Sequence, residues 1–127
     1  MPATRVFFWV QHLLGIGHLK RTATLARAFR RTGMDVTIVS GGPAVPGIDI
    51  ADSKLIQLPA VRAADKYFKV LVDENDAEID CAFRAHRRDQ LVDAFRHAAR
   101  VRGAAGVAHN RAQSQRQQCA HDPADYV

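Results

Sequence analysis

The chain has only two cysteines, Cys81 and Cys119, and no CxxC spacing, which argues against both a disulfide framework and a zinc ribbon. The expected setting is a reducing cytoplasm. No apolar run approaches the roughly 20 residues needed to span a bilayer. Val6-Phe-Phe-Trp-Val10 is also too short for the apolar part of a secretory signal, and no small-residue cleavage site follows it. Aromatic residues make up 7% of the chain and are not interleaved with the basic ones, so nucleic-acid binding would rest on charge alone and is not expected. No acidic residue occurs between Asp93 and Asp122.

What is present suits one domain with a modest core: 127 residues, 47% hydrophobic and 24% charged. A second domain is not expected within these residues. The balance of 18 Lys plus Arg against 13 Asp plus Glu gives a net charge of +5, which favours anionic partners such as phosphorylated small molecules or an acidic membrane surface.

Val6–Val10 is β-branched and aromatic without polar alternation, as in a strand buried on both faces of a parallel sheet. Gly15-Ile-Gly17-His18 follows, then a segment to about Thr32 in which Leu19, Ala23, Ala26 and Phe29 recur at helical spacing. Gly33 stands where a helix C-terminus needs a residue tolerant of positive φ, and Asp35–Ser40 reads as a second strand, closing a right-handed β–α–β unit. After the turn-rich Gly41–Gly47 comes a third short strand, Lys54–Leu58. Residues 60–78 lack periodicity and read as an exposed loop or a short irregular helix. Helical spacing returns from Asp80, a candidate N-cap, to Arg100, with His86 on or near the apolar stripe as a core residue and Cys81 as a small buried group.

A glycine turn between strand and helix lets the backbone approach a ligand and aims free N–H groups at an anion or a hydroxyl-bearing substrate. Gly15 and Gly17 fit a dinucleotide fingerprint, but its third glycine position is Lys20 and no acidic residue ends the second strand, so no such cofactor is expected. The Walker A spacing is absent too. Lys20, Arg27 and Arg31 share one helix face, either simply solvated or turned to anionic lipid or a phosphate-bearing acceptor.

The run Phe8-Trp-Val-Gln-His-Leu-Leu-Gly-Ile-Gly-His18, with Arg21, Leu25-Ala26, Phe29, Gly33, Val39-Ser-Gly-Gly42, Leu58-Pro59 and Arg62-Ala-Ala-Asp65, resembles the N-terminal domain of GT-B glycosyltransferases. The nearest looks are bacterial predicted glycosyltransferases with a GxGHxxR start and the lipid-linked N-acetylglucosaminyltransferase of peptidoglycan synthesis. The resemblance covers about residues 5 to 100. It implies an α/β fold, a partial Rossmann-like parallel sheet with flanking helices forming the N-terminal half of a GT-B fold. In such enzymes this half receives the acceptor, the second domain binds the nucleotide sugar, and transfer takes place between them without a metal or a cofactor.

By that resemblance His18 is the candidate general base on the acceptor hydroxyl, a role that suits an imidazole because it titrates near neutral pH. Local capping at the helix start is the competing role. Gly15, Gly17, His12, Arg21 and Asp65 are the candidate substrate contacts, with Lys66 beside them, although charged loop residues are mostly just solvated. Leu19-Lys20-Arg21 departs from the many relatives that carry a proline near the helix start. The partners implied are a nucleotide-sugar donor, usable only with a second domain, and an acceptor hydroxyl compound, lipid-linked in some relatives. The matching location is the cytoplasm, with room for peripheral contact at the inner membrane.

Residues 1–100 are thus expected to form an incomplete acceptor-side domain, inactive alone. Residues 101–127, rich in Ala, Arg and Gln and without an apolar strand run, are expected to be a disordered or out-of-frame tail where the family pattern calls for a fourth strand. The alternative function is a non-enzymatic phosphate- or sugar-binding half domain, or a subunit that docks with a separate donor-binding chain.

Overall fold

A computed structural model describes residues 3–100. The tail expected for residues 101–127 lies outside the described residues.

Strand β1 (Arg5–Val10), helix α1 (Gly17–Arg31) and strand β2 (Asp35–Ser40) form the expected parallel unit, and β3 (Lys54–Gln57) pairs parallel to the far side of β2. The sheet order is β1-β2-β3, in register from Arg5 opposite Asp35 to Val10 opposite Ser40. Residues 60–78 depart from the loop or irregular helix expected of them. They contain a short antiparallel pair, β4 (Arg62–Ala63) with β5 (Leu71–Val72), pinned by the Arg62–Asp76 ion pair. Strands of two residues are too short to show periodicity. Helix α2 (Cys81–Ala99) completes the order.

The sheet is covered on both faces, because alternate residues of each strand point to opposite sides. On one side Val10, Val36 and Ile38 pack with Leu19 and Ala26 of α1, with Val6, Phe8 and Phe29 around them. On the other, Val39 and Leu58 pack with Ala94 of α2, flanked by Phe7, Ile56 and Leu91. Each fully buried aliphatic side chain contributes about 1.5–3 kcal/mol. β1 packs against both helices but is only half-buried along most of its length, not fully buried on both faces as expected, because it lies at the edge of the described sheet.

The helix ends follow local rules. α1 stops in a reversed turn at Gly33, φ +80°, with Gly33 N–H donating to Arg30 O at 3.0 Å and Met34 N–H to Phe29 O at 3.2 Å. α2 starts at Asp80, whose carboxylate accepts from Phe83 N–H at 2.7 Å. Two expectations for α2 are corrected. Cys81 is exposed in the first turn, and His86 is exposed and meets Gln90 at 3.1 Å instead of entering the core. Only Ala94 of this helix is buried, since a three-stranded sheet offers it a narrow surface. Among the described residues no helix is long and apolar enough to cross a membrane.

Candidate functional site

In an open parallel sheet, ligands meet the carboxyl ends of the strands, where loops diverge and helix N-termini converge. Here those ends are Val10 leading into Gln11–Ile16, Ser40 leading into Gly41-Gly42, and Gln57 leading into Leu58-Pro59. A cavity of about 360 Å³ lined by Arg5, Thr37, Lys54, Phe95 and His97 lies at the opposite, amino ends.

Gly15, Gly17, His18 and Arg21 are all exposed on the turn and the first coil of α1. Neither glycine has a positive φ, and a Cβ on either would meet nothing within 4 Å. The chain itself leaves that space open. Ile16 holds the N-cap position without a side-chain hydrogen bond, and no acidic residue stands in the first turn. The first amides of α1 therefore face outward with the positive end of the helix dipole and no carboxylate of that turn to neutralise it. The His18 carbonyl accepts from Thr22 Oγ1 at 3.0 Å, while its imidazole has no partner among the described residues.

His12 lies beneath this turn and is 3% exposed. One ring nitrogen, Nε2, is 2.9 Å from Pro43 O. A carbonyl can only accept, so Nε2 donates to it, and Nδ1 has no partner among the described residues. A side chain on Gly42 would collide with this ring and with the His12 carbonyl, so a glycine at this position lets the β2 loop close over it. Asp65 stands apart: its carboxylate accepts from Tyr67 N–H at 2.6 Å, and no hydrogen bond or ion pair joins it to His18 or Arg21 among the described residues. It belongs to the β4–β5 segment, which is tied to the glycine turn through Ala63 N–H on Leu13 O at 2.9 Å. Of the basic trio on α1, Lys20 and Arg31 are exposed, whereas Arg27 donates to Asp49 O at 2.7 Å and so holds the β2–β3 loop.

Sequence reasoning missed the residue that ties the three strand ends together. Arg87 of α2 donates from Nε to Pro59 O at 2.7 Å and from one terminal nitrogen to Gly41 O and Gln11 Oε1, each at 2.8 Å. Burial pulls its pKa below the ordinary guanidinium value. Its face lies over Trp9, 6.0 Å from the ring centroid. Gln57 adds bonds to Gly42 O at 2.7 Å and Leu58 O at 2.9 Å, and Gln11 one to Val61 O at 3.2 Å. No spacing marks Arg87, since its partners are backbone carbonyls 28 and 46 positions away.

The fold and site define an α/β protein with a small parallel sheet and an open glycine turn at its carboxyl edge. No protein-family model, curated protein or solved structure matches the chain.

Proposed function

We propose that the chain is the acceptor-side half of a nucleotide-sugar-dependent glycosyltransferase, which works only when a donor-binding half is supplied. The observation that carries this reading is the open space over Gly15 and Gly17 beside an exposed His18 at the uncapped start of α1. An acceptor seated there would meet outward-facing amides through its phosphate or hydroxyl oxygens and an imidazole able to take the hydroxyl proton as the bond to the sugar forms. Arg21, one turn further on, adds a cation for a phosphate-bearing acceptor. Lys20 and Arg31 suit peripheral contact with an anionic membrane in which a lipid-linked acceptor would lie.

The same uncapped helix start also favours a second reading, in which the chain binds a phosphate or sugar without transfer. Amide-resolved NMR separates the two from neither. Titration of the chain with inorganic diphosphate and with a polyprenyl diphosphate should move the amides of Gly15, Gly17 and His18 in either case. Unmoved amides would overturn both readings. A transfer assay with a donor-binding partner domain then distinguishes them, because only the transferase reading expects product.

A further inference from the structure

Among the described residues β1 is paired along one side only. Asp35 N–H donates to Thr4 O and Gly41 N–H to Val10 O, each at 2.9 Å, so the even-numbered residues of this stretch turn their backbone groups toward β2. Successive residues alternate, and Arg5, Phe7 and Trp9 therefore point their N–H and C=O groups at the open edge. Among the described residues no strand covers this edge, and its one charge is Arg5, whose guanidinium donates to Arg100 O at 2.6 Å at the end of α2. Arg-Val-Phe-Phe-Trp-Val contains no proline, lysine or acidic residue, and its pairing with β2 runs without a bulge.

The edge is also self-complementary. A second copy placed antiparallel about a two-fold axis normal to the sheet keeps like faces together, so opposed residues must both be odd or both be even. Centring the axis on Phe7 sets Phe7 against Phe7, Arg5 against Trp9 and Val6 against Phe8. The facing pairs are then Arg5–Trp9, Phe7–Phe7 and Trp9–Arg5, and every outward N–H and C=O of the three residues finds a partner. No like charges oppose each other in this register. Phe7 stacks edge-on with Phe95 at 5.3 Å, and the exposed Phe95 (53%) and Trp9 (43%) lie where the second copy would cover them.

We propose that the chain forms a two-fold dimer through antiparallel β1–β1 pairing, making one continuous sheet across both copies. This is independent of the transferase reading. Trp9 is the only tryptophan, so its emission reports on the interface directly. Sedimentation of the full chain from about 1 to about 100 μM should pass from monomer to dimer, with a blue shift of Trp9 emission along the same isotherm. Amide exchange at Phe7 and Trp9 should slow over that range while Val6 and Phe8 stay protected throughout. Trp9→Lys, which sets an ammonium against Arg5 of the other copy, should be monomeric with unchanged far-UV CD. The exchange measurement on the unaltered chain stands if that variant fails to fold. A monomer across the range, a species larger than a dimer, or a dimer whose Phe7 and Trp9 amides do not respond would each overturn the proposal.

Discussion

Gly15 and Gly17 are glycines that the backbone conformation of this chain does not require, since neither has a positive φ nor a neighbour that a Cβ would strike. Gly17→Val should therefore leave far-UV CD nearly unchanged while abolishing the diphosphate-induced NMR shifts, because the new methyls would fill the open space over the first amides of α1. Retained shifts of wild-type size would remove the turn from the site. His18 carries the sharper test. In an active two-domain enzyme built on this half, His18→Ala should lower kcat by roughly 10² to 10⁴ with a smaller effect on donor KM, as expected for loss of a general base. A loss below about fivefold would leave His18 a residue of the helix start and nothing more. Gly42 is the opposite kind of glycine, required by its packing against His12.

At the scale of elements, the strand ends depend on α2 through one guanidinium. Arg87→Met keeps the aliphatic stem over Trp9 but leaves Pro59 O, Gly41 O and Gln11 Oε1 without their donor. Hydrogen bonds to charged groups are worth about 1.5–3 kcal/mol, discounted here for partial solvent access, so urea unfolding should show a loss of about 2 kcal/mol. An unchanged midpoint would mean that Arg87 is tethered by the strand ends without stabilising them. The reversed turn after α1 is a smaller, local test. Gly33→Ala at φ +80° should cost about 1 kcal/mol, seen as a lower thermal midpoint with the same fold.

At the scale of the whole molecule, a three-stranded sheet between two helices leaves much apolar surface at its margins, including Trp9, Leu25, Val92 and Phe95. Dimerisation through β1 would cover part of that margin, so the thermal midpoint should rise with protein concentration. Trp9→Lys should abolish that dependence, and a midpoint independent of concentration in the unaltered chain would count against pairing.

The β–α–β order was legible in the sequence because its signals are local: an unbroken apolar strand, apolar residues at helical spacing through Leu19, Ala23 and Ala26, a glycine at the helix end, and an aspartate at the start of α2. The glycine turn and His18 were legible for the same reason, as neighbours in the chain. The burial of His12 under Gly42, the clamp made by Arg87, the short β4–β5 pair and the exposure of His86 were decided only by the tertiary structure. The His12 and Arg87 contacts join groups 28 to 76 positions apart, which leave no periodic trace in the residues that make them; strands of two residues are too short for a period, and the exposure of His86 follows from how little of α2 the narrow sheet covers.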